Sequence, residues 1–458
     1  AILGGAGIPV HRLPDVSPTP LVAFAVRDLR AAAGVQITAS HNPAADNGYK
    51  VYWSDGAQIL PPLDAEISAA IDAVAPDADL PMSTDLVSDL GVEIAQRYRA
   101  VVGELRFGPA GAPLRIVYTP LHGVALPLVT SVLSDAGFDD VIVVKAQATP
   151  DPDFPTVDFP NPELPGALDL AIETATSHDA DLILANDPDG DRIAAAVPHD
   201  GAWRVLTGDE IGCLLAEWLL TRGPQGSGRL VGTTVVSSRL LSSIAQHHGV
   251  GYVETLTGFK WLARAARDAA DGGGRMVLAY EQALGAMCGT AVMDKDGISA
   301  ALVMADMAAA ARADGRGLPD LLDDLSRRHG VHLTGSRNVP LAGPEGPALV
   351  TATLERLRTA PPDHVAGAAV VAVADHIAGV RRLSAGASEP LSTPPTPMVG
   401  LTLDDGSRLQ ARPSGTEPLL KFYVEVIEPV DGDLAAARER GGKRLGVVTD
   451  AFLAAAGV

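Results

Sequence analysis

Asp187-Pro188-Asp189-Gly190-Asp191-Arg192 sets three acids at alternate positions, directly after the apolar run Leu182-Ile183-Leu184-Ala185. In an extended loop alternate side chains face the same way, so the three carboxylates converge on one point. They repel one another there unless a cation lies between them, and oxygen ligands favour a hard ion, Mg2+ before Ca2+. An EF-hand also begins D-x-D, but its sixth position needs Gly and is Arg192 here, and its twelfth needs Glu and is Pro198. The competing reading is an acidic turn that holds no ion.

Thr38-Ala39-Ser40-His41-Asn42-Pro43 also follows a strand-like stretch, Gly34 to Thr38. A hydroxyl at a strand-to-loop junction is exposed on a rigid support and suits a nucleophile, provided a cation or base activates Ser40. Ser, Asn and Pro are equally good turn formers, so this segment alone does not decide. Near the other end, Arg412-Pro413-Ser414-Gly415-Thr416-Glu417-Pro418 lies between two predicted strands. One guanidinium, two hydroxyls and a Gly that lets backbone N–H groups approach make a phosphate cradle, and the Arg fork meets two phosphate oxygens at once. A hairpin loop with a chance Arg is the alternative.

Three weaker segments lie between these. Glu254-Thr255-Leu256-Thr257-Gly258-Phe259-Lys260 ends a strand with a hydroxyl, a Gly and a cation, and Glu281-Gln282-Ala283-Leu284-Gly285 ends another with an acid suited to sugar hydroxyls. Asp294-Lys295-Asp296-Gly297 sets Lys295 between carboxylates before a helix; an ion-paired surface Lys is the ordinary reading, a general acid or base the sharper one. His122 and the pair His247-His248 read as satisfied structural histidines.

The elements that must position these segments follow from periodicity. Strands alternate with helices twice. Leu114 to Tyr118, Ala125 to Ala136, Val141 to Val144, Ala167 to Thr176 and Asp181 to Ala185 form one series. Leu230 to Val236, Arg239 to His247, Tyr252 to Thr255, Trp261 to Asp268, Arg275 to Tyr280 and a long helix from Gly297 form the second. That alternation predicts sheets covered on both faces by helices. Tyr49 to Trp53 and Ala57 to Leu60 flank Ser54-Asp55-Gly56, a hairpin signal. The last region runs helix, strand Ala368 to Val373, hairpin around Asp404-Asp405-Gly406, strand Leu420 to Ile427 and closing helix, an α+β order; Ser384 to Pro397 reads as a solvated loop. Breaks at Gly108 to Pro113, Gly223 to Gly228 and Thr334 to Pro347 divide the chain into 1–110, 111–224, 225–338 and 339–458.

Composition narrows the function classes. Of 458 residues, 47% are hydrophobic and 20% charged, enough to build cores in each of several domains. Lys plus Arg is 35 against 56 Asp plus Glu, a net charge of −21 that repels phosphate backbones and excludes a nucleic-acid partner. No apolar run reaches membrane-spanning length, and the Ala-rich stretch from Ala300 is broken by Asp306 and Arg312. Cys213 and Cys288 are too few for a disulfide framework, which fits a reducing cytoplasm. The chain opens Ala1-Ile2-Leu3 and runs soon into a strand, as though it began inside a domain whose first part is missing.

Taken in order, these segments resemble the α-D-phosphohexomutase superfamily, the phosphoglucomutases and phosphomannomutases. Thr38 to Pro43 looks like its phosphoserine loop, Asp187 to Arg192 its metal loop, Glu281 to Gly285 its sugar loop and Arg412 to Pro418 its phosphate loop. Asp46 to Trp53, Thr257 to Lys260 and Asp294 to Gly297 are most similar to the branch holding phosphopentomutase-like and bacterial phosphomannomutase enzymes.

The resemblance implies four domains around a central cleft, three α/β with mixed sheets and a C-terminal α+β domain. It implies that Ser40 carries a phosphoryl group beside one Mg2+ held by Asp187, Asp189, Asp191 and a phosphoserine oxygen. His41 and Arg192 support those sites, and Lys50 and Lys295 are placed for proton transfer. Thr257, Gly258, Lys260 and Glu281 hold the sugar, and Arg412, Ser414, Gly415 and Thr416 its distal phosphate. A sugar bisphosphate serves as intermediate and activator, in a cytoplasmic monomer or homodimer with a phosphosugar as its only partner.

Two departures stand out. Glu281-Gln282-Ala283 replaces the family's Glu-x-Ser, and the family's N-terminal Gly-rich loop with its Arg has no counterpart, which predicts an incomplete first sheet. A Mg2+-dependent phosphatase shares Ser40 and the acids but needs no distal phosphate cradle. A catalytically dead sensor needs neither Ser40 nor all three acids.

Overall fold

Ile116–Thr119 and Leu182–Ala185 are buried along their whole length, as continuous apolar runs in the middle of a covered sheet must be. They pair in parallel, Ile116 opposite Leu182 and Thr119 opposite Ala185, with Val141–Val143 parallel on the far side of Ile116–Thr119. Ala194–His199 then runs antiparallel to Leu182–Ala185, and Ala202–Val205 closes the five-stranded sheet. The turn between those last two is Asp200-Gly201, both at positive φ (50° and 77°), the primed hairpin geometry that Asp-Gly favours.

The computed structural model describes all residues except 76, 110, 342–344 and 415–418. The chain forms two compact units: Ala1–Thr233 with Ala245–Val253 and Gly258–Asp320, and Thr234–Ile244 with Glu254–Thr257 and Leu321–Val458. The five-stranded sheet belongs to the first.

At the start of that unit, Val10–Arg12 pairs in parallel with Val87–Asp89, while Ala33–Ile37 pairs antiparallel with Tyr49–Trp53. These form two separate two-stranded sheets. The helix Thr19–Asp28 buries every residue from Thr19 to Val26, and Tyr98 of the helix Glu93–Gly103 packs edge-on against its Phe24 at 5.5 Å. The predicted hairpin after Trp53 survives as a tight turn: Gly56 takes φ 77° and the second arm keeps one bridge, Tyr52 to Gln58.

A four-stranded sheet in the order Gly251–Thr255, Arg229–Thr234, Arg275–Glu281, Gly285–Cys288 forms the third layer system. The helices Gly208–Arg222, Phe259–Asp271 and Gly297–Ala313 pack against it, Phe259 and Leu262 sharing a core with Met276 and Ala279. Gly208–Arg222 is started by a capping box in which Thr207 and Glu210 satisfy each other's backbone N–H groups. Gly297–Ala313 is buried from Gly297 to Ala311, and Asp296 caps its first turn through Ile298 N and Ser299 N. Among the described residues no helix is long and apolar enough to cross a membrane.

The second unit is built on one antiparallel sheet of eight strands. Val331–Pro340 pairs with Leu419–Glu428 over ten residues, and Arg408–Pro413 flanks Leu419–Glu428 on its other side. Phe422 from that strand and Phe452 from the closing helix Leu434–Ala456 meet edge-to-face at 5.3 Å, within a core of Leu401, Leu409, Val424 and Val448. The Ser/Thr/Pro-rich stretch expected to be loop throughout contains a strand, Ser388–Pro390, paired with Val380–Leu383. All three of its residues are exposed, so no burial pattern announced it.

Candidate active site

The acidic loop Asp187 to Arg192 is held from several sides. Asn186, buried behind the acids, accepts a hydrogen bond from the Tyr118 hydroxyl (2.8 Å) and donates to Arg192 O (2.6 Å). Gly190 turns the loop at φ 73°. A Cβ on Gly123 would lie 2.3 Å from Pro188 Cα and O, and one on Gly297 would lie 2.2 Å from Arg192 O, so two glycines let the loop sit against backbone. Thr19 donates through Oγ1 to Asp189 Oδ2 (2.9 Å) and through its N–H to Asp189 O.

As predicted from alternation, Asp187, Asp189 and Asp191 each turn a carboxylate oxygen inward, all within 4.8 Å of one another and all buried. Burial, then the charges of Asp189 and Asp191, holds the Asp187 carboxyl well above the usual carboxylate range. Burial pushes Asp191 up as well, but Lys295, Lys50 and Arg192 outweigh it and hold Asp191 below that range. Asp191 Oδ1 is buried and finds no hydrogen-bond partner among the described residues. An all-oxygen donor set with an unsatisfied buried oxygen fits a hard divalent cation such as Mg2+.

Ser40 sits over this cluster. Its Oγ lies 3.3 Å from both Asp187 Oδ2 and Asp189 Oδ1, and 3.0 Å from His41 Nδ1. Its φ is 56°, a region L-residues enter at a cost, and its N–H donates to Thr38 Oγ1 at 2.8 Å. Burial, then the positive charge of Arg192, lowers the His41 imidazole to about 4, so the ring beside Ser40 is neutral at neutral pH.

Two lysines face the acids. Lys50, on Tyr49–Trp53, places Nζ 2.7 Å from Asp189 Oδ2 and 2.6 Å from Asp191 Oδ2. Lys295 places Nζ 3.1 Å from Asp191 Oδ2 and 3.6 Å from Asp294 Oδ1, with its ammonium 5.5 Å from the centre of the Phe259 ring. Burial works against both ammonium groups, but the carboxylates around them more than offset it and keep both charged. Lys295 is ion-paired, as the ordinary reading held, yet its side chain is only 12% exposed and is no surface lysine.

The segment Glu281–Gly285 joins the acidic loop by backbone. Arg192 and Gly285 form an antiparallel bridge, and Ile193 N donates to Leu284 O. Glu281 accepts from Gly258 N at 2.7 Å, where Gly258 at φ 107° starts the helix Phe259–Asp271 that carries Lys260 in its first turn. Burial raises the Glu281 carboxyl above its ordinary value. The first unit thus gathers Ser40, His41, Lys50, Asp187, Asp189, Asp191, Arg192 and Lys295, with Glu281 and Gly258 on the adjoining loops.

In the second unit Arg412 donates to Thr257 Oγ1, and Arg412 Nε is buried with no partner among the described residues. Ser414 N donates to Leu419 O (2.9 Å), while Gly415 and Thr416 lie outside the described residues. His122 bonds Thr156 Oγ1 and His248 bonds Glu217, the structural roles expected of them. Both cysteines are buried, and Cys213 Sγ lies 3.7 Å from the Tyr280 hydroxyl. Sequence reasoning missed Thr19, Asn186, Gly123 and Gly297 as supports of the loop. Only Asn186 carried a signal, its place between the strand and the first acid.

Models of four successive domains match the chain: phosphoglucomutase/phosphomannomutase α/β/α domain I over residues 1–77, domain II over 105–201, domain III over 207–329 and the C-terminal domain over 368–437. The chain is 38% identical to a probable phosphomannomutase of Haemophilus influenzae, covering 98% of this chain and 89% of that one. It is 40% identical to a probable phosphoribomutase of Schizosaccharomyces pombe, covering 89% and 72%. Its fold matches the crystal structure of a putative phosphomannomutase from Thermus thermophilus with a TM-score of 0.68 at 22% identity, over 97% and 85% of the two chains. With three α/β domains and a C-terminal domain in that order, the chain belongs to the phosphoglucomutase/phosphomannomutase family, and it is a phosphosugar mutase, an isomerase.

Proposed function

We propose that the chain interconverts the 1- and 6-phosphates of a hexose, mannose or glucose, through a phosphoryl group carried on Ser40 and a sugar bisphosphate that turns round between two half-reactions. One observation carries this reading: Ser40 Oγ stands 3.3 Å from two members of a buried carboxylate triad whose third member has an unsatisfied oxygen. Asp187, Asp189, Asp191 and a phosphoserine oxygen would hold one Mg2+, which when bound supplies positive charge against the phosphoryl group in transfer.

The chain's own residues do the rest. The sugar hydroxyl that attacks the phosphoryl group must lose a proton, and the Ser40 oxygen that leaves must be stabilised. Lys50 and Lys295 border the acids and are the proposed proton carriers and charge stabilisers. Neutral His41 holds the Ser40 side chain in place through Nδ1, and Arg192 counters the acids. Thr257, Gly258, Lys260 and Glu281 are proposed to hold the sugar, and Arg412, Ser414, Gly415 and Thr416 the phosphate that does not react. Arg412 Nε, buried with no partner among the described residues, supports that assignment.

The corresponding domains are 1–110, 111–224, 225–338 and 339–458, in a cytoplasmic monomer or homodimer activated by a sugar bisphosphate. A pentose, with transfer between positions 1 and 5, is the second reading, favoured by Ala283 where a hydroxyl would serve a hexose. The test is a Mg2+-dependent assay on the 1-phosphates of mannose, glucose, glucosamine and ribose, with release of inorganic phosphate followed in parallel. The expected result is an isomerised hexose phosphate without free phosphate. Rapid phosphate release with no isomer would make the chain a phosphatase instead.

A further inference from the structure

Lys295 lies between Asp294 and Asp296, and each of these acids is held by a buried tyrosine from the first hundred residues. The Tyr52 hydroxyl donates to Asp294 Oδ2 at 2.8 Å, and Gln58 Nε2 donates to the same oxygen at 2.7 Å. The Tyr98 hydroxyl lies 2.8 Å from Asp296 Oδ1 and 3.0 Å from Oδ2. Both phenols are fully buried, and burial followed by the neighbouring carboxylate charge keeps them protonated, so each is a fixed donor. Hydrogen bonds to a buried carboxylate are among the strong ones.

The two clamps differ in what they reach. The other oxygen of Asp294 accepts from Lys295 N at 2.8 Å and lies 3.6 Å from Lys295 Nζ. Asp296 instead bonds Ile298 N and Ser299 N at the start of the helix Gly297–Ala313. The stem of Lys295 is confined as well, because a Cβ on Gly285 would fall 2.4 Å from its Cδ. Tyr52 stands two residues after Lys50 on one strand, so that strand delivers one ammonium to Asp191 directly and fixes the carboxylate beside the other.

We propose that Tyr52, with Gln58, is a positioning residue for Lys295, holding the Asp294 carboxylate that keeps the Lys295 ammonium on Asp191, whereas the Tyr98–Asp296 clamp serves only the helix. The proposal rests on the mutase reading for its effect on turnover, but not for its effect on geometry.

The experiment is steady-state kinetics of Tyr52→Phe, Gln58→Leu and Tyr98→Phe in the full chain on its best sugar phosphate, with crystal structures of the first two. Tyr52→Phe is expected to lower kcat about tenfold with KM nearly unchanged, the effect of losing one charge-assisted hydrogen bond. Its crystal structure is expected to show Lys295 Nζ withdrawn from Asp191. Tyr98→Phe is expected to lower the thermal midpoint and keep kcat. Should Tyr52→Phe fail to fold, Gln58→Leu is judged by the same two readouts. The proposal is overturned if the Lys295–Asp191 contact and kcat both survive, or if Tyr98→Phe costs as much turnover as Tyr52→Phe. If the unaltered chain isomerises no sugar phosphate, the mutase reading fails, and the crystallographic place of Lys295 still decides this proposal.

Discussion

Lys50 Nζ lies 2.6 Å from Asp191 Oδ2, the oxygen that Lys295 Nζ approaches at 3.1 Å. One carboxylate oxygen therefore serves two ammonium groups, while the other oxygen of Asp191 has no hydrogen-bond partner among the described residues. The charges are matched so that three acids can stay together in a buried place. Replacing Lys50 by Met removes one of those positive charges and leaves the acids more in need of a cation. Lys50→Met is expected to bind Mg2+ more tightly, read as a larger rise in thermal midpoint on adding Mg2+. Its kcat is expected to fall by about a hundredfold or more, the ordinary scale for loss of a general acid or base, the role proposed for Lys50. Weaker Mg2+ binding with unchanged kcat would contradict this account of Lys50.

Gly123 tests how tightly the acids are held. The carbonyl of Pro188 already accepts from Val124 N at 2.9 Å, so the loop backbone lies directly against residues 123 and 124. A methyl group at 123 would meet Pro188 backbone atoms at 2.3 Å, and backbone yields less readily than a side chain. Gly123→Ala is expected to cost about 1–3 kcal/mol in stability. The same change should move the acids apart and raise the Mg2+ concentration needed for half-maximal turnover. Calorimetric titration with Mg2+ checks the second effect, and an unaltered affinity would show that the loop adjusts independently of its bed.

Glu425 gives the second unit an acid-labile anchor. Its Oε1 accepts from Ser238 Oγ and Arg239 N, both at 2.7 Å, and from His332 Nδ1 at 3.1 Å. Arg408 Nη2 lies 3.3 Å from its other oxygen. Burial raises the carboxyl, but the His332 hydrogen bond and the Arg408 charge overcome it and bring it from 4.5 down to about 2. A carboxyl lowered on folding stabilises the native state above its unfolded value and loses that contribution as pH falls toward the folded one. About 3 kcal/mol should therefore disappear between pH 4.5 and 2. Urea unfolding of Glu425→Gln should show a deficit against the unaltered chain at pH 7 that narrows as the pH falls through this window. A deficit constant with pH would place the effect in packing instead of charge.

The groups proposed to carry chemistry were legible because they lie at or just past strand ends. Ser40 comes three residues after Ile37, Asp187 two after Ala185, and Glu281 is the last residue of its own strand. A period-two or continuous apolar run followed by polar residues marks such places without any knowledge of the fold. The strand Ala194–His199 was not legible, because Ala194-Ala195-Ala196 has no β preference and becomes a strand only by burial beside Leu182–Ala185. The helix Gly208–Arg222 also went unread, although Thr207 and Glu210 carried its capping signature. Convergence was out of reach altogether: Tyr52 and Asp294 meet across 242 positions, and nothing local in either segment names the other.

The most direct test of the account is peptide mass spectrometry of the chain after exposure to glucose 1,6-bisphosphate, before and after addition of a sugar monophosphate. The account predicts one phosphoryl group on Ser40 that the monophosphate removes, and a Ser40→Ala chain that takes up none and has lost turnover. Phosphate found on another residue, or turnover undiminished in Ser40→Ala, would contradict it.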